Sequence, residues 1–453
     1  MKKRTFLKLS TALLATPLIG TINSCKKPDR LKNWAGNITF STDKVVNPKG
    51  VKDLIANVKR VSKMRTLGTR HCFNTIADSA DNLITTKHLI RILSIDYKAL
   101  EVTVEPGIKY GELAPFLEKG GYALHNLASL PHISVAGACA TATHGSGVTS
   151  GNLSTAVVAM EIINAKGENV LITKENGGDR FNGAVVGLGL LGPVVKLTLK
   201  IEPSYGVKQD VYQNMPMESL KANFDEIMSA GYSVSLFTDW QNKNINEVWI
   251  KSKVIKKLGE KPILGFDAKP EYFGGKLASK NLHPIAELGA VNCTEQMGVP
   301  GTWYERLPHF KMGFTPSSGK ELQSEFFVDR KDAYAAMMAV EKLSAKIGPL
   351  LMITEIRTIA ADNLWLSTAY KRDSVAIHFT WKQETAAVMA LLPEIEAALE
   401  PFDYRPHWGK IFTMAPDKLQ ARYEKMADFK ALVKEFDPEG KFRNEFVDKN
   451  IFG

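Results

Sequence analysis

The chain has 453 residues, enough for two domains, and its 44% apolar and 9% aromatic content excludes global disorder. The net charge of +10 looks basic, but residues 1–32 hold eight Lys and Arg against one Asp, so seven of the ten charges sit at the N-terminus. With three left for the body, a nucleic-acid-binding surface fails on charge distribution.

The start reads as a targeting segment. Lys2, Lys3 and Arg4 precede an apolar run from Leu9 to Ile22, too short to span a bilayer. The run ends in Ile22-Asn23-Ser24-Cys25, which resembles a bacterial lipoprotein signal with Cys25 as the lipidated first residue of the mature chain. Residues 1–25 are therefore expected to be an export signal, and Lys3-Arg4-Thr5-Phe6-Leu7-Lys8 also resembles the twin-arginine type. The alternative is an uncleaved N-terminal anchor. The expected product is periplasmic, monomeric and held to a membrane surface by lipid, with a soluble body. Cys72, Cys139 and Cys293 are too widely spaced for a disulfide framework or a metal site and read as small buried residues; no metal is expected.

Val51, Leu54, Ile55, Val58 and Val61 recur at helical spacing. A strand from Met64 to Leu67 then empties into Gly68-Thr69-Arg70-His71-Cys72-Phe73-Asn74. Such a turn offers free backbone N–H groups to a phosphate, although an ordinary strand-to-loop turn has the same pattern. Strands are predicted at Leu83–Thr85 and Ala99–Val104, and a helix at Tyr110–Lys119, stopped by Gly120-Gly121.

Between Lys119 and Glu161 there is no Asp, Glu, Lys or Arg. Its centre, Asn126 to Gly147, is built from Gly, Ala, Ser and Thr, and His125, His132 and His144 interrupt it. Small residues let backbone approach something closely, so this stretch either lines a large ligand or packs backbone tightly. A hairpin of Val157–Ile163 and Asn169–Thr173 and a strand Val194–Ile201 follow, and Glu202-Pro203 ends the unit. No Gly-x-Gly-x-x-Gly joins a strand to a helix, so a Rossmann site is not indicated.

From about residue 206 strands such as Ser233–Phe237 and Val248–Lys251 appear, then a Pro/Gly-rich loop from Lys261 to Gly275. Helices are predicted at Lys331–Ile347 and Glu384–Leu399. Between them, Met352–Ile359 carries Glu355 and Arg357 on one face, and Val375–Trp381 carries His378 and Thr380 on one face. As antiparallel neighbours they form either one reactive patch or a solvent-facing sheet surface with a cross-strand ion pair. Arg405-Pro406-His407-Trp408-Gly409-Lys410 is a second candidate for a close approach to a ligand. The mix of short helices and strands makes the class α+β.

In this order the motifs Gly68-Thr69-Arg70-His71, Asn126 to Ala138, Glu355-Ile356-Arg357, His378-Phe379-Thr380 and Pro406 to Lys410 resemble the FAD-dependent alditol (xylitol/sorbitol) oxidases, of the vanillyl-alcohol-oxidase-type flavoprotein superfamily. Tyr232–Trp240, Val291–Gln296 and Phe314–Ser318 extend the resemblance over nearly everything from Asn33 onward.

The resemblance implies an FAD-binding domain over 33–205, a substrate (cap) domain over 206–404 with an antiparallel sheet flanked by helices, and a C-terminal segment, 405–453, returning to the flavin. It implies that His71 bonds covalently to the flavin, where the usual Gly-His-Ser is replaced by Arg70-His71-Cys72. Thr66, Leu67, Gly68, Thr69, Arg70 and Cys72 would hold the pyrophosphate. Ser129, Ser134, Gly137, Ala138, Cys139, Ala140 and His144 would form a second wall, with Val194 and His407 also against the cofactor. Glu355, Arg357, His378, Thr380, Lys410 and Ser129 would carry substrate binding and catalysis. The implied reaction converts the terminal CH–OH of a polyol to an aldose, with O2 or another acceptor reoxidising FAD. The rivals are an aldonolactone oxidase or dehydrogenase on the same fold and a non-catalytic polyol-binding lipoprotein.

Overall fold

The computed structural model describes residues 30–254, 265–311, 313 and 320–453. The expected export signal with Cys25, the start of the loop at Lys261 and the Phe314–Ser318 motif lie outside the described residues. No helix among the described residues is long and apolar enough to cross a membrane.

The first half builds two main sheets and a two-stranded pair, Tyr122–Ala123 with Glu202–Pro203. A small parallel sheet has the order Val45–Val46, Leu83–Thr85, Arg65–Leu67. The helix Val51–Arg60 buries Leu54 and Val58 against Met64, Ile84 and Leu89, and Phe442 from the far end of the chain completes that cluster. A five-stranded antiparallel sheet runs Ile92–Asp96, Glu101–Val104, Val194–Lys200, Val157–Ile163, Asn169–Thr173. The strand expected from Ala99 starts at Glu101, because Asp96 Oδ1 captures the N–H groups of Lys98 and Ala99 and Leu100 turns at φ +55°.

Sheet membership changes between Lys200 and Gly206. From there a ten-stranded sheet takes over, with Leu351–Ile359 and Ser374–Lys382 near its middle. On one side of this pair lie Ser233–Thr238, Asn244–Val254 and Gly206–Pro216. On the other lie Glu321–Asp329 and the short edge strand Arg405–Pro406. The predicted Pro/Gly-rich loop holds part of a hairpin, Glu271–Tyr272 with Gly275–Leu277, at the opposite edge.

One face of this sheet is apolar. Ile356, Ile377, Phe379 and Trp381 join the main core with Met337, Val340, Leu392 and Ile395 from the two later helices. The second of these, Thr385–Leu399, falls where the periodicity placed it. The first does not run unbroken from Lys331 to Ile347. It divides into a 3-10 turn, Arg330–Asp332, a helix Ala333–Glu341 and a short helix Ser344–Ile347. Asp329 caps the start through the Lys331 N–H, and at the break the Leu343 N–H reaches back only three residues, to the Val340 carbonyl.

The charge-free stretch fastens the two halves together. Gly147 N–H donates to the Thr358 carbonyl at 2.9 Å, Ala360 N–H to the Ser150 carbonyl at 2.9 Å, and the Ser146 hydroxyl to the Val234 carbonyl. Gly147 sits at φ +148°, and a Cβ there would lie 2.6 Å from the Tyr232 carbonyl oxygen. At its other end the chain closes the same join. Phe73 N–H donates to the Gly409 carbonyl at 2.7 Å, and Asn74 Nδ2 to the carbonyls of Trp408 and Lys410 at 2.9 and 2.8 Å.

Gly147→Ala should therefore cost about 2–4 kcal/mol through backbone strain and overlap. Gly289→Ala, with nothing within 4 Å of its Cβ, should stay within about 0.5 kcal/mol. Urea melts of the two variants measure the difference.

Candidate active site

The loop after Arg65–Leu67 turns at Arg70, whose φ of +64° is unusual for a side-chain-bearing residue. Its guanidinium is directed away from the turn, donating to the Lys32 carbonyl at 2.8 Å. The N–H groups of Gly68 to Cys72 have no hydrogen-bond partner among the described residues. Thr69 Oγ1 instead accepts from the Ser134 N–H at 3.2 Å, which pins this loop to the start of the helix Val135–Ala140. The two walls meet closely: a Cβ on Gly68 would lie 3.0 Å, and one on Gly137 2.8 Å, from Ser134 Oγ.

These walls border a cavity of about 400 Å³. Thr66 to Cys72, Ser129, Gly137 to Ala140, His144, Val194 and His407 line it, and so do Glu355, Arg357, His378, Thr380 and Lys410. Ser134 is the exception among the sequence-derived candidates, lining an adjoining side pocket with Gly68 and Thr69. The residues suit a diphosphate-bearing dinucleotide. Besides the free N–H groups, Thr66 Oγ1, Ser134 Oγ and His71 Nδ1 are buried polar atoms with no partner. Trp34 stacks on the His71 ring at 5.2 Å, and burial first, then the neighbouring His132, lowers the His71 pKa to about 4. The imidazole is neutral at physiological pH, with an unshared pair on a ring nitrogen.

The opposite wall is the polar face of the large sheet. Register sets Glu355 opposite His378, and His378 opposite Glu325, so three titratable groups form one row across three strands. The solvent-facing alternative for this face is thereby excluded: Glu355 and Arg357 are each 5% exposed, His378 8% and Glu325 1%.

Glu325 is the centre of the charge network. Its Oε1 accepts from Arg357 Nη2 at 2.7 Å and faces His144 Nε2 at 3.2 Å, and its Oε2 accepts from Lys410 Nζ at 2.7 Å. Burial alone would raise the Glu325 pKa, but Lys410, His144 and Arg357 together hold it well below the usual carboxylate range. Glu355 is held low in the same way by Arg357 and His309, the latter at 2.7 Å. Burial lowers the Lys410 pKa, only partly opposed by Glu325. His378 is pushed well below its ordinary value by burial and then by Lys410, and its Nε2 has no partner. The face thus offers two carboxylates, a permanent cation, an ammonium with lowered pKa and a neutral imidazole to one cavity. Ser129 Oγ, 3.4 Å from Arg357 Nη1, stands where cofactor wall and sheet face meet.

Glu325, His309 and Lys251 were not among the sequence candidates. A signal for the first was present: in Glu321-Leu-Gln323-Ser-Glu325-Phe the polar residues alternate at period two, as a strand's single face requires. His309 comes from a loop, where no periodicity marks it.

A family profile described as "FAD binding domain" matches residues 42–173, and one described as "D-arabinono-1,4-lactone oxidase" matches residues 318–450. An alditol oxidase of Streptomyces sp. is 44% identical over 418 residues, covering 92% of this chain and 97% of the relative. An L-gulono-1,4-lactone dehydrogenase of Mycobacterium tuberculosis is 27% identical, with 92% and 97% covered. Among solved structures, a cholesterol oxidase from B. sterolicum superposes with a TM-score of 0.74 at 16% identity, covering 97% of this chain and 100% of that one. At that identity the likeness concerns the fold.

Glu325→Gln leaves two buried cations without their counter-charge and should cost about 3–5 kcal/mol. The depressed carboxylates stabilise the fold above the ordinary Glu pKa, and that contribution is lost as pH falls through their lower folded values. Denaturant melts between pH 7 and pH 3 should show the wild type losing stability on the acid side and Glu325→Gln losing less.

Proposed function

The chain belongs to the alditol oxidase family of FAD-binding oxidoreductases, and on that premise we propose that it oxidises the terminal CH–OH of a linear polyol, of the xylitol or sorbitol class, to the aldose, with dioxygen reduced to hydrogen peroxide. The observation that supports it most is the buried row Glu325–His378–Glu355, flanked by Arg357 and Lys410, facing a cavity whose other wall is the loop of His71.

FAD, when bound, supplies the acceptor for the hydride leaving the carbinol carbon. The protein must hold the alcohol oxygen and take its proton. Arg357 and Lys410 are placed to bind that oxygen and favour developing negative charge. The proton passes to His378, neutral with an unpartnered Nε2, or to Lys410, whose pKa burial has lowered. Glu355, Thr380 and Ser129 bind the remaining hydroxyls; each hydroxyl buried without a partner would cost about 1–3 kcal/mol, which is why a polyol site needs so many polar groups. His71 is the residue for covalent attachment of the flavin. Its neutral ring, its unpartnered Nδ1 and the Trp34 stack support that role. Residues 1–27 support export as a lipoprotein anchored through Cys25, which labelling with radioactive palmitate in wild type and Cys25→Ala would test.

The lactone reading draws on the profile over residues 318–450 and on the more distant lactone dehydrogenase. Activity on L-gulono-1,4-lactone without activity on xylitol would favour it.

Anaerobic xylitol or sorbitol should bleach the flavin absorbance, and no bleaching would sink the alditol assignment. Lys410→Ala should slow flavin reduction about 10²-fold or more while FAD stays bound. In denaturing gels flavin fluorescence should stay with the wild-type chain and be lost from His71→Ala; free flavin from the wild type would rule out the linkage.

A further inference from the structure

Glu355 meets two further titratable groups that the proposed chemistry does not use: His309, which also lines the cavity, and Lys251 beyond it. We propose that Lys251 and His309 form a buried positioning pair that holds Glu355 with one carboxylate oxygen turned to the substrate. The inference rests on the reading of Glu355 as a binder of polyol hydroxyls.

The hydrogen bonds fix the roles. Glu355 Oε1 can only accept, so the His309 nitrogen 2.7 Å from it, Nε2, carries the proton. His309 Nδ1 then accepts from Lys251 Nζ, 3.1 Å away. Lys251 also donates to the Leu307 carbonyl at 2.5 Å and lies 3.4 Å from that of Pro308, so three acceptors surround its three ammonium protons. Burial lowers the Lys251 pKa to about 7, and in its protonated form this geometry selects one tautomer of His309. The ring cannot easily rotate away, since Trp249 and Phe237 meet it edge-on at 5.2 and 5.5 Å. Thr294 holds the same turn, through its N–H to the His309 carbonyl at 2.9 Å and its hydroxyl to the Pro308 carbonyl at 2.8 Å.

The consequence is a carboxylate with two unlike oxygens. Oε1 is taken by His309, with Arg357 Nε at 3.6 Å, whereas Oε2 has no hydrogen-bond partner among the described residues; His378 Nδ1 stands 3.9 Å off. Oε2 is the atom left to accept a substrate hydroxyl. A proton wire is a poorer account of the pair, because Lys251 is 1% exposed and its other partners are carbonyls, which cannot carry a proton onward. Lys251, which does not line the cavity, therefore acts through His309 and Glu355.

The test uses FAD-loaded protein and xylitol. Lys251→Met and His309→Leu remove the chain of donors without adding bulk; both should raise KM for xylitol about ten-fold or more with a much smaller change in kcat. His309→Gln is the rescue, because its amide can accept from Lys251 through oxygen and donate to Glu355 through nitrogen; its KM should stay within about three-fold of wild type. In [15N]histidine-labelled holoenzyme, the signal lost in His309→Gln should be that of a neutral Nε2–H imidazole and should shift in Lys251→Met. Unchanged KM in Lys251→Met, His309→Gln as impaired as His309→Leu, or an unmoved 15N signal would each overturn the inference. A wild type that xylitol does not reduce would instead overturn the alditol reading, and the 15N comparison would still decide whether Lys251 sets the state of His309.

Discussion

Glu325 holds a buried carboxylate against Arg357, Lys410 and His144, which come from a central strand, the C-terminal loop and the charge-free stretch. An isolated carboxylate at that depth would cost several kcal/mol and would take up a proton instead. It stays ionised only because two cations and an imidazole converge on it. Those cations depend on it equally, since Arg357 and Lys410 need a counter-charge to remain buried. The His407 N–H also donates to the Glu325 backbone carbonyl at 3.0 Å, so the same residue seats the C-terminal loop. Fold and candidate chemistry therefore share one electrostatic constraint.

The charge-free stretch both borders the cavity and packs backbone tightly. Toward the cavity, Gly137 to Ala140 form a wall of small side chains. Toward the cap, Gly147 and Ser150 pair with the backbone of the strand that ends near Thr358. Within itself it is packed tightly enough that a Cβ on Gly145 would lie 2.4 Å from Asn126 Oδ1. A charged side chain here would face either a bound diphosphate or a buried backbone junction, and neither can solvate it.

Much of this was legible beforehand where local pattern and buried face coincide. Leu83–Thr85, Tyr110–Lys119 and Val157–Ile163 lie where the sequence placed them, the helix with Leu113 and Leu117 on its buried face and the strands as mostly apolar runs. Ile92–Asp96 escaped notice because this edge strand has no fully buried residue. In the sequence the helix from Lys331 looks continuous because its apolar residues stay in phase through Leu343, although the backbone there tightens.

By itself the sequence determined the α+β class, the polar pairs on two strands, the strand-to-loop turn at Gly68 and the order of motifs that identifies the family. These are local or additive properties, carried by residue type and spacing. The tertiary structure alone decided that Glu325 stands beside His378 in the same row as Glu355, that His144 and Lys410 reach it from earlier and later in the chain, and that His309 and Lys251 adjoin Glu355. Such contacts join residues tens to hundreds of positions apart through strand register and loop closure. Their consequences, ionised carboxylates and neutral imidazoles, arise from burial and mutual distance, which no residue carries in its identity.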